Sequence, residues 1–454
     1  MNLVSNSPRI QELCEGLREY SALDPALYQK YQVHRGLRHA DGTGVVAGIT
    51  KICNVHGYMI NEGEVEPIPG ELIYRGYQIT DLVHAVEKEN RFGYEEVAYL
   101  LLFGKLPTAG QLKSFQELIA EERELPDGFV LDMIAKAPSN NIMNKLGRAV
   151  LALYSYDDEC EVQTLENEVR IAISMIARMP VIMSAAYQVK RQHFDNESLV
   201  MHPLRHEETN AQTILSLLRL DRQYTPEEAH LLDICMMLHA EHGGGNNSAF
   251  SCRVLTSSGT DPYSAYSAAI GALKGYRHGG ANIKVIEQLD TFKREIKDTT
   301  DDGQVADYIR KVLRKEAGDG AGLVYGMGHA VYTLSDPRAV LLKEKAFALA
   351  KGKDIEEDFK LLDAIERLTP ALVAEKSPRA AQKHICANVD LYSGLVYRML
   401  GIPADLLTPM FAVSRIAGWA AHRIEEVLTG NRIIRPAYKS LAKAKPYTPL
   451  AERG

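Results

Sequence analysis

The chain has 454 residues, more than one small hydrophobic core usually serves, so two domains are the natural expectation. Its composition, 46% hydrophobic and 24% charged, is typical of a soluble globular protein. The net charge of −7 at pH 7 argues against a general role in binding nucleic acid or an anionic membrane surface, but it is compatible with a local basic pocket.

The cysteines and the N-terminus favour a cytoplasmic protein. The six cysteines are scattered and include no Cys-x-x-Cys pair, which is typical of free thiols in a reducing compartment. Residues 1–20 carry glutamates and lack an apolar core, so they predict neither a secretory signal nor a transit peptide. No apolar run approaches the roughly 20 residues that are needed to cross a bilayer.

The first predicted elements are two weak strands. Residues 45–58 and 71–77 have the composition of a small β-ribbon, and residues 66–70, Glu-Pro-Ile-Pro-Gly, predict an exposed excursion between them. The remainder of the chain shows no repeat and no interdomain linker. It is dominated by helix signals, so we expect an all-α fold with a minor β-ribbon near the N-terminus.

Helix starts are marked clearly along the chain. Thr108 and Gln111 predict a capping box. A cap followed by a first-turn proline recurs downstream, which is typical of helix N-termini. This second signal occurs at Thr225-Pro226, Asp261-Pro262, Asp336-Pro337 and Thr408-Pro409.

Three separated stretches place an ionisable residue beside glycine or asparagine. They are residues 276–282 (Tyr-Arg-His-Gly-Gly-Ala-Asn), 326–332 (Gly-Met-Gly-His-Ala-Val-Tyr) and 388–394 (Asn-Val-Asp-Leu-Tyr-Ser-Gly). Two imidazoles and one carboxylate can remove a proton from carbon and stabilise the charge that develops on oxygen. The candidate catalytic residues are therefore His278, His329 and Asp390.

Each of these residues also has a simpler interpretation. His278 could be a surface-loop histidine. His329 follows Gly-x-Gly, which is more often a plain turn than a ligand site. Asp390 directly precedes a predicted helix, where an ordinary N-cap would explain it, although Asn388 is also available as a cap.

Three arginines are candidates for binding an anionic substrate, because guanidinium groups match carboxylates bidentately. Arg338 lies in a first helical turn, where a cation opposes the helix dipole, so it suggests an anionic partner. The simpler partner is Asp336. Arg415 lies on an apolar helix face and needs a carboxylate, which a structural glutamate or a substrate could provide. Arg435 precedes a proline near the C-terminus, in a segment that could reach over a neighbouring surface.

A zinc site at the end of the helix that begins at Pro226 is not supported. His239 and His242 share a helix face. There is no His-Glu-x-x-His motif, however, and no third ligand is obvious nearby, so we expect no metal.

Taken together, the motifs resemble those of the citrate synthase family from about Arg35 to the C-terminus. Residues 72–77 (Leu-Ile-Tyr-Arg-Gly-Tyr) and 95–101 resemble its N-terminal signatures. The remaining motifs follow in the family's order: His239-x-x-His242, His278, His329, Asp336-Pro337-Arg338, Asn388-Val389-Asp390, Ser414-Arg415 and Arg435-Pro436. The resemblance implies a mostly helical homodimer with a large domain (residues 1–280 and 403–454) and a small domain (281–402) that closes over substrate.

The resemblance also implies a role for each candidate residue. Asp390 would remove a proton from the methyl group of acetyl-CoA, and His278 would donate a hydrogen bond to the thioester oxygen. His329 would polarise the ketone of oxaloacetate and protonate the new alkoxide. The other residues bind substrate: His242, Arg338 and Arg415 would hold oxaloacetate, Arg435 would come from the partner subunit, and Asn246 would support the site.

The expected activity is that of citrate synthase, an acyltransferase of the citrate (Si)-synthase type that feeds the tricarboxylic acid cycle. It uses acetyl-CoA, oxaloacetate and water, with no metal or redox cofactor. Two alternatives are 2-methylcitrate synthesis from propionyl-CoA and a non-catalytic CoA-ester or dicarboxylate sensor. The sequence departs from the family pattern at Gly243, at Ala330 and at Ile283-Lys284, none of which belongs to the expected acid–base set.

Overall fold

The structure is a computed structural model that describes residues 23–39, 43–62, 64–375, 384–430 and 432–453, together with residues 8, 11, 14 and 17. Most of residues 1–20 lie outside the described residues. The chain divides into two compact units, one made of Thr50–Ile434 and the other of Met1–Ile49 with Arg435–Gly454. The expected division into a large and a small domain at residues 280 and 402 stays a prediction.

The described residues are mainly helical, which confirms the predicted fold class. The α-helices are α1 (Ala26–Lys30), α2 (Ile79–Lys88), α3 (Tyr94–Phe103), α4 (Ala109–Glu121), α5 (Ile142–Ala152), α6 (Leu165–Phe194), α7 (Asn210–Leu218), α8 (Pro226–His239), α9 (Asn247–Thr256), α10 (Pro262–Lys274), α11 (Ala281–Glu295), α12 (Asp302–Leu313), α13 (Pro337–Ala350), α14 (Glu356–Ala374), α15 (Asp390–Met399) and α16 (Leu407–Thr429). Short 3₁₀ turns occupy Arg35–Leu37, Leu153–Tyr156, Ala404–Leu406 and Leu450–Glu452, and a π-helical turn occupies Val130–Ala135.

Most of the predicted helix starts are confirmed. Thr108 and Thr225 each form a capping box, and Asp261 and Asp336 cap α10 and α13 through their side chains. The prediction at Thr408 is wrong. The turn Ala404–Leu406 leads directly into α16, so Thr408 already lies inside the helix and its hydroxyl donates instead to Gly279 O at 2.7 Å.

A three-stranded antiparallel sheet precedes most of the helices. Its strands are β1 (Cys53–Asn61), β2 (Glu64–Tyr74) and β3 (Tyr77–Gln78), in the order β1-β2-β3. The predicted ribbon is present, but its first strand begins at residue 53 rather than 45.

The predicted excursion at residues 66–70 is wrong, because these residues belong to β2. Glu66 pairs with Met59, and Pro67 pairs with Tyr58. The register shifts here, between the His56–Glu71 and Tyr58–Pro67 pairs, so residues 68–70 lie opposite Gly57 alone and the strand is irregular at Pro69. Strand β3 pairs with Ile73 and Tyr74 at the other end of β2.

Helices α16 and α15 each pack against several other helices. Helix α16 packs against α3, α6, α8, α9 and α10, and its Trp419 is fully buried. Helix α15 packs against α11, α13 and α14. Among the described residues, α6 is long and apolar enough to cross a membrane, but 78% of its apolar window is buried inside the protein, as expected for a core helix.

Candidate active site

One cavity of about 340 Å³ brings together six of the seven predicted site residues, and it also includes Asn246. It is lined by His242, Asn246, Leu273, Arg277, His278, Gly279, Ala281, Gly328, His329, Ala330, Arg338, Asn388, Val389, Asp390, Phe411 and Arg415. The seventh residue, Arg435, is exposed and belongs to the other compact unit, so its predicted role stays a prediction.

His278 lies in the tight turn between α10 and α11. Its backbone N–H donates to Gly275 O at 2.8 Å. The next residue must be glycine, because a Cβ on Gly279 would lie 2.3 Å from Leu273 O and 2.6 Å from a methyl carbon of Thr408. The turn that carries His278 therefore packs closely against α16.

The His278 ring is held by a hydrogen-bond network that we did not predict in full. Its Nε2 lies 3.1 Å from both Asn246 Oδ1 and Ser248 Oγ. Trp419 Nε1 donates to the same Ser248 hydroxyl at 3.1 Å. The Ser248 proton then has two possible acceptors, Asn246 Oδ1 at 2.8 Å or His278 Nε2. If the Ser248 proton is donated to His278 Nε2, the neutral His278 ring carries its own proton on Nδ1.

Burial keeps His278 neutral near pH 7. The pKa of its imidazole is lowered to about 4, chiefly by burial and then by the positive charge of Arg415. A neutral imidazole can donate a hydrogen bond to a developing oxyanion without first losing a full charge. The surface-loop interpretation is therefore wrong for this half-buried residue.

The tautomer of His329 is set by its own loop. The backbone N–H groups of Val331 and Tyr332 donate to Nδ1 at 3.1 and 3.0 Å. A neutral ring that accepts at Nδ1 must carry its proton on Nε2. The ring also stacks on Tyr332 with centroids 4.6 Å apart.

The β-ribbon supports the His329 loop through two glycines. A Cβ on Gly57 would lie 2.6 Å from Val331 O, and one on Gly70 would lie 2.1 Å from Ser335 O. The Gly70 N–H donates to Ser335 Oγ at 3.1 Å. The strands can therefore approach this loop only because both positions lack a side chain.

Asp390 is not the helix cap that its sequence position suggested. Asn388 Oδ1 accepts from the Asp390 backbone N–H at 3.0 Å, so Asn388 satisfies that end of α15. Among the described residues, no group donates a hydrogen bond to the Asp390 carboxylate. Burial raises its pKa to about 6, although the charge of Arg338 opposes this shift. The carboxylate is therefore a stronger base than an ordinary aspartate.

Arg338 has the partner that the simpler interpretation predicted, and it also lines the cavity. Its Nε and Nη2 donate to the two Asp336 oxygens at 3.0 and 2.7 Å, and the side chain is only 4% exposed. Burial alone would lower its pKa, but Asp336 holds the pKa above the usual value. Asp336 also accepts from the Val389 N–H at 3.2 Å, which links Arg338 to the start of α15.

Arg415 is a buried cation without an ion-pair partner among the described residues. It is 3% exposed, and its Nε donates to His239 O. Burial lowers its pKa, while the nearby charge of Glu241 acts in the opposite direction. No described carboxylate forms a salt bridge with it, so the predicted structural glutamate is not in contact. A buried guanidinium of this kind is suited to a ligand carboxylate.

His242 occupies the turn that follows α8. The Tyr74 hydroxyl clamps this turn, because it donates to Glu241 O at 2.9 Å and accepts from the Glu241 N–H at 3.2 Å. Burial, followed by the charge of Arg338, lowers the His242 pKa well below its usual value. Its Nε2 is buried and has no hydrogen-bond partner among the described residues, so a ligand could satisfy it.

A fully buried acid–imidazole pair lies behind this turn. His422 Nε2 and Glu241 Oε1 are 3.0 Å apart, and neither side chain is exposed. His239 stacks on Phe411 with centroids 3.7 Å apart. Within the described part of the chain, no three His, Cys, Asp or Glu side chains are grouped to hold a metal ion. The expectation of a metal-free reaction stays a prediction.

The assembled cavity combines the three imidazoles of His242, His278 and His329, a basic carboxylate and two buried guanidiniums. Arg415, together with the N–H groups that Asp336 leaves free on Arg338, can bind the carboxylates of a ligand, which then lies beside Asp390 and the imidazoles. Such a site can deprotonate a carbon acid and stabilise charge on two different oxygens.

Known proteins resemble this chain over most of its length. A family model described as citrate synthase, C-terminal domain, matches residues 39–437. The citrate synthase of Haloferax volcanii is 34% identical over 412 residues, covering 88% of this chain and 98% of that protein. The 2-methylcitrate synthase 1 of Corynebacterium glutamicum is 30% identical over 430 residues, covering 93% and 99%.

The likeness extends to a solved structure. The citrate synthase of Thermoplasma acidophilum, in its ternary complex with carboxymethyl coenzyme A and oxaloacetate, is 28% identical with a TM-score of 0.73. The match covers 90% of this chain and 97% of that one. The predicted resemblance is confirmed, and this chain belongs to the citrate synthase family.

Proposed function

We propose that the protein is a citrate synthase, which condenses acetyl-CoA with oxaloacetate and water to give citrate and free CoA. Its family membership and the relatives named citrate synthase support this assignment. The observation that carries it is the pairing of a buried guanidinium that lacks a described ion-pair partner, Arg415, with a carboxylate of raised pKa, Asp390, in one cavity.

The first chemical step in this mechanism is carbon deprotonation. Asp390 removes a proton from the methyl group of acetyl-CoA, and the electron pair moves toward the thioester oxygen. His278 donates a hydrogen bond from Nδ1 to that oxygen, which requires Ser248 to donate its proton to Nε2. A carboxylate is too weak a base for this carbon in water, so the step depends on burial of the base and on the donor at oxygen.

The second step forms the carbon–carbon bond. The nucleophilic carbon attacks the ketone carbon of oxaloacetate, and His329 gives its Nε2 proton to the alkoxide. The proton that Asp390 took from the methyl group is then released and a proton returns to His329, so both residues regain their starting states. His242, Arg338 and Arg415 hold the oxaloacetate. Water then cleaves the thioester bond of the condensation product, which releases citrate and the CoA thiol.

The rival substrate is propionyl-CoA, since one relative is named 2-methylcitrate synthase. One additional methylene changes discrimination by only about 1–3 kcal/mol, which a few contacts in the cavity can supply. The ratio of kcat/KM for acetyl-CoA and propionyl-CoA decides between the two activities.

The assembly and setting that accompany this function are also proposals. We propose a cytoplasmic homodimer in which Arg435 completes the partner subunit's site, with no metal or redox cofactor and no nucleic-acid or membrane partner. The negative net charge and the scattered cysteines support the cytoplasmic assignment. The sequence match around Arg435-Pro436 supports the shared site.

The test of the function is release of free thiol from the acyl-CoA. Thiol should appear only when the enzyme, oxaloacetate and an acyl-CoA are all present. The Asp390→Ala variant should lose turnover while it still binds oxaloacetate, which separates an enzyme from a sensor. Absence of thiol release with both acetyl-CoA and propionyl-CoA would overturn the assignment.

A further inference from the structure

A tyrosine–arginine pair stands where the cavity opens to solvent. Arg277 lines the cavity and is exposed, and its Nε donates to the Tyr276 hydroxyl at 2.9 Å. The guanidinium also lies over the Tyr276 ring, 5.4 Å from its centroid, and that ring is 79% exposed. The tyrosine therefore holds the guanidinium in place, and the two Nη groups of Arg277 have no hydrogen-bond partner among the described residues.

Arg277 has no ion-pair partner among the described residues. The cavity lining carries three arginines, Arg277, Arg338 and Arg415, but only one carboxylate, Asp390. Arg338 and Arg415 are buried and are assigned, with Arg435, to the carboxylates of oxaloacetate. Arg277 is thus a third cation, left over at the exposed end of the same cavity.

The position of Arg277 indicates which substrate it faces. It directly precedes His278, the residue assigned to the thioester oxygen, so it lies on the side of the cavity that receives the acyl donor. The phosphate groups are the charged part of acetyl-CoA, and they lie toward solvent when the acetyl group is inside. An exposed guanidinium at this mouth matches a phosphate oxygen in charge and geometry.

We propose that Arg277 binds a phosphate group of the CoA thioester and that Tyr276 orients it for that contact. This inference rests on the proposed function, since it assumes a CoA thioester as the acyl donor. Arg277 then determines affinity for the acyl donor and takes no part in the acid–base chemistry.

The experiment compares the wild type with Arg277→Gln on thioesters that lose their phosphates in stages. The three substrates are acetyl-CoA, acetyl-dephospho-CoA, which lacks the 3′-phosphate, and acetyl-pantetheine, which lacks every phosphate. With acetyl-CoA, we expect the substitution to raise the KM about tenfold, with a much smaller change in kcat or in the oxaloacetate KM. With acetyl-pantetheine, the two proteins should have the same KM.

Acetyl-dephospho-CoA identifies the phosphate. If the difference between the proteins disappears with this substrate, Arg277 binds the 3′-phosphate; if it persists, Arg277 binds the diphosphate. A difference that persists with acetyl-pantetheine would overturn the proposal, as would an unchanged KM for acetyl-CoA.

The matched control is Lys274→Gln, which removes an exposed positive charge at the end of α10, outside the cavity lining. This variant should leave the acetyl-CoA KM near the wild-type value. An equal rise in both variants would mean that general surface charge, rather than a contact of Arg277, attracts the substrate.

A binding measurement separates this inference from the proposed function. CoA, dephospho-CoA and pantetheine are titrated into the wild type and Arg277→Gln by calorimetry, which requires no turnover. The Arg277 contact is supported if the wild type binds CoA more tightly than the variant and the two proteins bind pantetheine with equal affinity. This result supports the contact even if the condensation assay fails. Equal CoA affinity in the two proteins would overturn the contact even if condensation proceeds.

Discussion

Ser248 Oγ lies 3.1 Å from His278 Nε2, and this hydroxyl determines which ring nitrogen of His278 can donate into the cavity. Trp419 Nε1 already donates to the serine oxygen, so the serine proton is available either to His278 or to Asn246 Oδ1. When it is donated to His278, the ring proton resides on Nδ1. The serine is therefore a positioning residue for the proposed oxyanion donor.

Ser248→Ala should reduce kcat by about 100-fold, the usual effect of losing one oxyanion donor. Without the hydroxyl, Asn246 Oδ1 becomes the only described partner of Nε2, so the ring proton is held there and not on Nδ1. The matched control is Ser251→Ala, because Ser251 lies on the same helix and its exposed hydroxyl donates only to Asn247 O. A kcat within about twofold of the wild type would contradict the assigned donor.

The raised pKa of Asp390 predicts a specific loss of activity in acid. Because the base must be deprotonated, kcat/KM should fall about tenfold for each pH unit below about 6. Asp390→Asn should lower kcat by at least about 10²-fold and abolish this dependence in the residual activity. A profile that keeps the same acid limb in Asp390→Asn would assign the limb to another group.

The raised pKa of Asp390 also affects the free energy of unfolding. A carboxyl group whose pKa is raised on folding binds more protons in the native state, so it destabilises the protein as the pH rises through the interval from its unfolded pKa to about 6. Asp390→Asn should therefore be more stable than the wild type near neutral pH, and the difference should shrink in acid. Thermal melting of both proteins across this interval measures the effect.

Removing the buried cation Arg415 should weaken oxaloacetate binding without destabilising the free protein. Arg415→Gln should raise the oxaloacetate KM at least about 100-fold, because a charged hydrogen-bonded contact is lost. The melting temperature without ligand should be unchanged or higher, since a buried charge with no described salt-bridge partner is removed.

A ligand titration provides the control for this variant. Oxaloacetate at about 100 times its Kd should stabilise the wild type by about 2.7 kcal/mol. The same addition should have little effect on Arg415→Gln. A large loss of stability in the ligand-free variant would show that Arg415 acts mainly through its structural hydrogen bond to His239 O and would contradict its substrate role.

The sequence could predict features that depend on local chemistry. Capping boxes at Thr108 and Thr225 form between residues three apart, so their signals are complete within one turn. The catalytic candidates were found because each lies in a compact motif. Thr408 was assigned wrongly because the preceding 3₁₀ turn, which the local pattern did not indicate, moved the helix start to Leu407.

The supporting contacts could not be predicted, because their partners are distant in sequence. Ser248 and Trp419 are 171 residues apart, Tyr74 and Glu241 are 167 apart, and Glu241 and His422 are 181 apart. None of these pairs has a spacing that indicates contact. Packing of α16 against α8 and α9 brings the first and third pairs together, whereas the Tyr74–Glu241 pair joins the end of β2 to the turn after α8.

The close approach of the β-ribbon to the His329 loop predicts a sensitive glycine. Gly70→Ala should lower stability by about 1–3 kcal/mol, because its Cβ would lie 2.1 Å from Ser335 O and backbone must move. Displacement of the loop should also reduce kcat more than it changes the acetyl-CoA KM. Gly110→Ala is the matched control, since a Cβ there meets nothing within 4 Å. Equal behaviour of the two variants would mean that the ribbon does not position His329.

The final prediction concerns whether two subunits build each site together. Arg435 is exposed in the unit that contains the C-terminal segment, and the family resemblance assigns it to the partner's oxaloacetate site. Arg435→Ala should raise the oxaloacetate KM sharply while the oligomer, measured by light scattering, stays intact. Mixing Arg435→Ala with inactive Asp390→Ala, at an oxaloacetate concentration too low for Arg435→Ala to turn over, then provides the decisive test. In a heterodimer with shared sites, both defects fall in one site and the other site is whole, so random exchange should restore about a quarter of the wild-type activity.

Native mass spectrometry verifies that subunits have exchanged. If heterodimers form and no activity returns, each subunit builds its own site and Arg435 does not reach its neighbour.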